Sequence, residues 1–574
     1  MGSSLCLSGE DLTCSAHSTV HECRFPLWAV KVSDFLMMTG PPESHGALKE
    51  KDLLHEWYPG MFVIFVSHQW LSSVHPDPSG HQVQVLQQAL RGIIDGTMQV
   101  HESLIARSDD KNLSAKTREC IADGFIFFDW FAIPQITARK HGVNEETTKS
   151  DAALAVQSIP AYVELSNLFI ALVPELTHKD SSEPVNYSSW LSRGWCRAEL
   201  WCRLLSNKFD TSVVVVYTPT EAEFMFPLDW QHNSIVEGNF TVEADRAEVV
   251  RLGQIVVESK IRHLQQFGPL SHYRFYLALR PKLLQQERLA RDPESFLRHF
   301  RYDSLEAAAR DRSGMNAVMC ATLSGDTAVL RLLAEHRASM NHSLKDMSDL
   351  GYYDTQTPLM AAAKSQQDAS VLATLIQLRA DVNARARTGL VAMSFCRTPE
   401  QVKVMVEHRA DMPPSSLSGI ASFGGPETMK VLLSCRCDIN QTEENRYGPL
   451  HATTLFSRGN CRAVETAKFL LAQHADVNAR TVLSGSLALW CRAARAKLAV
   501  VGFENCNVLT RLGACMGGIS PLGYAAMVGH EQLAQLYLDN GADLLPNDRG
   551  DTPEDLARYN QHYHLLPLLA TFST

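Results

Sequence analysis

The stretch Gly194-Trp195-Cys196-Arg197-Ala198-Glu199-Leu200-Trp201 decides how the N-terminal half of this chain is read. It follows a serine-containing loop and an apolar run, Asn167-Leu168-Phe169-Ile170-Ala171-Leu172-Val173, with the look of a buried strand. Tryptophan and glutamate four residues apart share one face of a helix. A helix that begins just beyond a strand lies where open α/β sheets place their ligands. Glu199 is therefore either a site residue or one half of an i,i+4 salt bridge with Arg203, and the two readings lead to different proteins.

Working outward, three more apolar runs join the one before this helix. They are Phe62-Val63-Ile64-Phe65-Val66, Phe125-Ile126-Phe127-Phe128 and Val213-Val214-Val215-Val216. Short continuous apolar runs are the signature of strands covered on both faces. Stretches with helical spacing lie between them: His81 to Ile94, Asp151 to Leu165 and Trp190 to Leu205. Alternation of strand and helix predicts a parallel sheet wrapped by helices. Residues 1–55 are weakly patterned and are expected to be partly disordered; 56–220 form the α/β domain. Residues 221–310 read as a helical connector, with helices over Asp245 to Phe267 and Leu277 to Arg301.

A different pattern follows from about residue 311 to 574. Leu375-Ile376-Gln377-Leu378 precedes Arg379-Ala380-Asp381-Val382-Asn383, and Phe469-Leu470-Leu471 precedes His474-Ala475-Asp476-Val477-Asn478. Similar endings close at Asn341, Asn440 and Leu544. Matching openings are Thr357-Pro358-Leu359-Met360-Ala361-Ala362, Gly448-Pro449-Leu450-His451-Ala452 and Ser520-Pro521-Leu522-Gly523-Tyr524-Ala525. This resembles the ankyrin repeat, with its Thr-Pro-Leu-His-x-Ala opening and a period of about 33 residues. The resemblance implies an all-α solenoid whose helix pairs bury Leu332, Leu375, Leu432, Leu470 and Leu536 in one core. The copy at Gly389 to Met412 is degenerate. Ala479 to Gly513 reads as an insertion or an eroded repeat, and Gly550-Asp551-Thr552-Pro553 opens a capping copy.

Composition sets bounds. The net charge is −10 and 20% of the 574 residues are charged, with no basic block, which speaks against nucleic acid as a partner. No apolar run approaches the ~18 residues that span a bilayer. The N-terminus lacks the pattern of a secretory signal, so the 14 cysteines are expected to be reduced in a cytoplasmic protein. They include no Cys-x-x-Cys pair, and His17, His21 and Cys23 read as an incidental group, so no metal site is expected. Met1-Gly2-Ser3-Ser4-Leu5-Cys6 partly fits an acylation signal on Gly2 and Cys6, with Cys6 where Ser or Thr is preferred.

At the carboxyl ends of the expected strands stand Ser67, His68 and Trp70, then Asp129, then the helix with Trp195 and Glu199. A tryptophan can stack on a heterocycle, and a carboxylate can hold a hydroxyl or stabilise positive charge. Residues 57–219 resemble a TIR-type domain: Phe62 to Ser67 is similar to that family's first motif, and Trp195-Cys196-Arg197-Ala198-Glu199-Leu200 to its Trp-Cys-x-x-Glu-Leu helix. Phe128-Asp129-Trp130-Phe131-Ala132-Ile133-Pro134-Gln135 and Arg193-Gly194-Trp195 are closer to fungal heterokaryon-incompatibility domains. The resemblance implies a flavodoxin-like parallel sheet and a signalling or effector role with self-association. In members that cleave NAD it implies that Glu199 is catalytic, with Ser67, His68, Trp70, Asp129 and Trp195 around the substrate. The family's usual loop after the second strand is replaced here by Ala132-Ile133-Pro134-Gln135.

Three functions remain in view. One is a protein-binding ankyrin array joined to a TIR-like adaptor, with no cofactor. The second adds NAD hydrolysis. The third is a scaffold held at a membrane by acylated Gly2 and Cys6.

Overall fold

The computed structural model describes residues 22–102, 113–138, 145–208, 210–225, 234–286, 291–352, 354–435, 437–442, 444–503, 506 and 508–572. Contacts divide the chain into two compact units, 1–260 with 507–509, and 261–506 with 510–574.

The first unit is built on an eight-stranded sheet. Its strands are β1 (Trp28–Lys31), β2 (Leu54–Glu56), β3 (Val63–His68), β4 (Val100–Glu102), β5 (Phe125–Phe128), β6 (Leu168–Leu172), β7 (Val214–Thr218) and β8 (Glu221–Phe224). They lie in the order β2-β1-β5-β3-β6-β7-β8-β4. The four apolar runs are the four central strands, β5, β3, β6 and β7, and all run parallel. Counted along the chain, these four lie in the order second, first, third, fourth.

In-register pairing sets Phe65 opposite both Phe127 and Phe169. Their rings stack at 4.6 and 5.2 Å between centroids, within the range where aromatic pairs add ~0.5–1.5 kcal/mol to burial. Every residue of β3, β5 and β6 is buried.

The weakly patterned first 55 residues are not merely a tail, because β1 and β2 extend the sheet from them by antiparallel pairing beside β5. They escape notice because they are short and lack a long apolar run.

Helix α1 (His81–Asp95) follows the expected span. The other two expected helices are each broken. Asp151 to Leu165 falls within α2 (Glu145–Gln157) and α3 (Ile159–Leu165), with Pro160 in the first turn of α3. Trp190 to Leu205 divides into α4 (Tyr187–Ser192) and α5 (Gly194–Leu204). The break at Arg193 has a steric cause: a Cβ on Gly194 would lie 2.0 Å from the Phe240 ring, and the Gly194 N–H donates to Asn239 at 2.9 Å. Only glycine lets the passing chain approach so closely.

In the second unit, Leu270–Leu283 and Pro293–Phe300 replace the single helix expected over Leu277 to Arg301, the second restarting at the Asp292 cap before Pro293. The stack then runs as helix pairs. Ala317–Ser324, Pro358–Lys364, Pro414–Phe423, Pro449–Leu455, Pro521–Val528 and Pro553–Tyr559 form an inner row. Thr357, Ser520 and Thr552 cap their helices through backbone N–H groups at Met360, Gly523 and Asp555. The degenerate copy keeps only a 3₁₀ turn, Ala392–Phe395, in the inner row, since Pro399 starts its partner helix soon after. Leu375, Leu432 and Leu470 are fully buried as expected. Leu332 and Leu536 are only half-buried, and their neighbours Leu333 and Tyr537 fill the core instead.

Asparagines join the fingers between helix pairs. Asn341, Asn383 and Asn440 accept the N–H of Asp381, Asp411 and Asp476 at 2.7–2.8 Å. Asn478 does the same with Asp543 at 2.8 Å and donates to Gly541 at 3.1 Å, reaching across the whole 479–513 segment. Pro449–Leu455 packs directly on Pro521–Val528. That segment is therefore an insertion, not an eroded repeat.

Asn478→Ala removes this clasp and is expected to cost about 1–2 kcal/mol, two to three modest hydrogen bonds, read as a lower urea midpoint; an unchanged midpoint would show that the finger carries no coupling. His451 supplies a second test. Its Nδ1 accepts from Gly448, its Nε2 faces the carbonyls of Ala479 and Ile519, and burial lowers its pKa to about 4. The unfolded chain, with His near 6.5, binds the extra proton between those values. Stability from this group is thus complete above pH 6.5 and lost as pH falls toward 4, by up to about 3 kcal/mol. His451→Gln should flatten that slope in denaturation series at pH 7 and 4.5.

Candidate functional site

β3 ends in Ser67 and His68, held in register with Ala171 and Leu172 of β6. Side chains alternate across a strand, so these two leave β3 on opposite faces. Ser67 shares its face with Phe65 and meets the helix layer. Its hydroxyl donates to Glu199 Oε2 at 2.5 Å and accepts from Trp190 Nε1 at 3.0 Å. Trp190 is wholly buried, so the hydroxyl is fixed from one side by an indole and faces a carboxylate on the other.

His68 goes to the other face. Its ring stacks on Phe128 at 3.9 Å, and Nε2 lies 2.9 Å from Asp129 Oδ1. Asp129 begins a short helix directly after β5, and its second oxygen accepts from Trp70 Nε1 at 2.8 Å. Gln135 donates to the Asp129 carbonyl at 3.2 Å, which ties down the Ala132-Ile133-Pro134-Gln135 segment. Gln69, between these groups, is held by Ser189 and Gln82 at 2.7 Å each.

The electrostatics separate the two carboxyl groups. Burial raises Glu199, the Asp129 charge adds to the rise, and the result is a pKa of about 8 despite the Ser67 bond and nearby His68. Burial opposes ionisation of Asp129 as well, yet the His68 charge and the bonds from His68 and Trp70 outweigh it, and its pKa falls. For His68 burial pulls down, but Asp129 prevails and the pKa rises. At neutral pH the site therefore holds a largely protonated Glu199 beside a His68–Asp129 pair biased toward its ionised form.

The salt bridge that spacing permits between Glu199 and Arg203 does not form. Arg203 is buried and donates to the carbonyls of Ser212, Ser166 and Asn167 at 3.2–3.4 Å, tying α5 to the segments before β6 and β7. The structure thus gathers Ser67 with Glu199, and His68 with Asp129 and Trp70. Trp195 goes elsewhere: its Nε1 donates to Asp245 at 3.0 Å. Trp201 is a core residue. Gln69 stands at the end of the first strand, as the sequence order places it, whereas Trp190 and Ser189 are not singled out by the sequence; nothing in their spacing distinguishes a positioning tryptophan from a packed one. Gly2, Cys6, His17 and His21 lie outside the described residues. Among those described, no group of histidine, cysteine and carboxylate side chains is arranged to hold a metal ion, and no helix is long and apolar enough to cross a membrane.

The family model of the ankyrin repeat matches residues 354–387. The C-terminal part of this chain carries ankyrin repeats. Similar solved structures include the ankyrin repeat domain of Bcl-3, at 19% identity over 43% of this chain and 97% of that one, with a TM-score of 0.27. The human ASB11 ankyrin repeat domain is also 19% identical, over 43% of this chain and 96% of that one, at a TM-score of 0.29. No curated protein matches the chain. Ankyrin stacks present extended concave surfaces, and binding to other proteins is the role such repeats suggest.

Asp129→Asn tests the ion pair. Without the carboxylate, burial is opposed only by Glu199 and the Gln69 carbonyl, and the His68 titration should fall when followed by its ring NMR shifts. Because the Asp129 side chain is 29% exposed, the stability loss at pH 7 is expected near ~2 kcal/mol, below that of a fully buried pair. A His68 titration that stays where it was would disprove the pairing.

Proposed function

We propose that this chain is a signalling protein in which the concave face of the ankyrin stack selects a protein partner and the N-terminal domain is the TIR-like module that responds. The second, first, third, fourth order of the parallel strands supports this reading, since it is the flavodoxin-like order. The Trp-Cys-x-x-Glu helix is the second helix after the third of those strands, reached through a two-stranded excursion and α4. The observation that carries the reading is the turn of Glu199 toward Ser67 at the end of β3 instead of toward Arg203. A half-buried carboxyl group that makes no salt bridge costs stability, and groups with strongly shifted pKa values cluster at functional sites. Self-association through the sheet domain belongs to the same reading. Membrane attachment rests on acylated Gly2 and Cys6, which mass spectrometry of the mature N-terminus decides.

A second reading adds cleavage of the nicotinamide–ribose bond of NAD, with Glu199 holding the ribose and facing the positive charge that develops as nicotinamide leaves. Its pKa of about 8 favours this reading, because a buried carboxyl group near neutrality responds strongly to a cationic substrate. The role needs the ionised form. The free protein's rate should accordingly climb with pH through about 8, the limb being set by Glu199. Purified protein and Glu199→Gln are incubated with NAD under conditions that cluster the sheet domain, and nicotinamide release is measured. Activity in the wild type at least 100-fold above the variant supports hydrolysis. Equal release from both, or none from either, leaves the adaptor reading alone.

A further inference from the structure

The insertion between the helices Ala463–Ala472 and Pro521–Val528 does not separate the repeats on either side, which meet directly. It nevertheless forms a regular helix, Gly485–Val501. Between Asp476 and Glu504 the chain has no carboxylate, although Asp and Glu number 63 overall, while Arg480, Arg492, Arg495 and Lys497 fall inside that window.

One face of this helix is packed. Cys491 and Ala494 are buried, Leu498 is half-buried, Arg495 donates to the Ala514 carbonyl at 3.0 Å, and the Trp490 ring lies against Gly513. The opposite face is open. Leu489 and Val500 are 66% and 86% exposed, and Ala493 and Ala496 between them are exposed too. Their spacing of four, three and four is that of successive d, a, d and a positions of a heptad. In that frame Arg492 falls at g and Lys497 at e, both exposed, one on each side of the seam.

From this face we infer that the inserted helix is a docking seam for an acidic amphipathic helix of a partner protein, one with large apolar residues along its own seam and glutamate or aspartate flanking it. The alanines admit a partner backbone closely and leave room for its large side chains. The flanking cations select carboxylates. A second copy of this chain is disfavoured, because Arg492 and Lys497 would face their own kind in either orientation. An anionic bilayer is disfavoured because two of the four seam residues are alanine and offer little area to bury in lipid. The seam spans only about two heptads, but it is already helical and anchored, so only the partner pays the ordering entropy. The proposal rests on the residues of the inserted helix alone and stands whether or not the concave face or Glu199 has the role proposed above.

The test uses the full chain and two labelled peptides of three heptads with leucine at a and d, one with glutamate at e and g, the other with lysine. Fluorescence anisotropy should show the acidic peptide binding at least tenfold tighter than the basic one, with the difference shrinking in high salt. Ala493→Glu should lower affinity for the acidic peptide at least tenfold. The double variant Arg492→Glu/Lys497→Glu should invert the preference, a gain that misfolding cannot mimic. Equal binding of both peptides, or no change on charge reversal, overturns the proposal. So does binding to phosphatidylserine vesicles without binding to the acidic peptide, or self-association that Ala493→Glu abolishes.

Discussion

The pairing of β3 with β5 on one side and β6 on the other is the constraint on which the N-terminal unit depends. It sets Phe65 between Phe127 and Phe169, and the same register delivers Ser67 and His68 to the ends of their rows. A slip of one residue would exchange their faces, sending the hydroxyl toward Asp129 and the imidazole into the helix layer. The polar groups at the strand ends are thus held by apolar packing several residues away. That is why a site made of only a few hydrogen bonds can keep two carboxyl groups apart on the two sides of one strand.

Much of this was legible in the residues, and the misses have physical causes. The four central strands were visible because burial on both faces leaves no alternation to confuse. β1, β2, β4 and β8, which flank the four central strands, were not, because strands of three or four residues leave too little pattern to separate from loop. The break between α4 and α5 was hidden because its cause, Phe240 against Gly194, lies far along the chain. In the candidate site, Glu199 and Asp129 stood out by position after strands. The choice between Ser67 and Arg203 as the partner of Glu199 was undetermined, since helical spacing fits a salt bridge equally well. Arg203 proved to be engaged with backbone carbonyls that no local pattern reveals.

The repeat half was readable for a different reason. Each helix pair restates the same solution, so one degraded copy does not obscure the period. The junctions show how that tolerance works. Asparagine side chains clasp successive fingers, and Asn478 finds Asp543 as readily across the long insertion as Asn440 finds Asp476 in the adjacent repeat. Where Pro413 replaces the asparagine, the Cys437 and Met412 sulfurs lie 3.9 Å apart instead. Stability in such an array depends on nearest-neighbour contacts, so an insertion is tolerated wherever the chain returns to the same finger.

The two carboxyl groups by β3 bear on function most directly through their difference. Both are partly withdrawn from water, and left alone both would favour the neutral form. His68 and Trp70 rescue the charge on Asp129; Glu199 receives one hydroxyl hydrogen bond, which is too little to offset its burial. Neighbouring acids pushed in opposite directions divide the labour of proton holder and fixed charge. The division also feeds back, since the negative charge kept on Asp129 is one of the causes that keep Glu199 neutral. A ligand that brings positive charge to this end of the sheet would relieve that repulsion and draw the proton off Glu199, whereas a neutral ligand would leave it in place. The sensitivity of the Glu199 proton to nearby positive charge therefore follows from the arrangement itself.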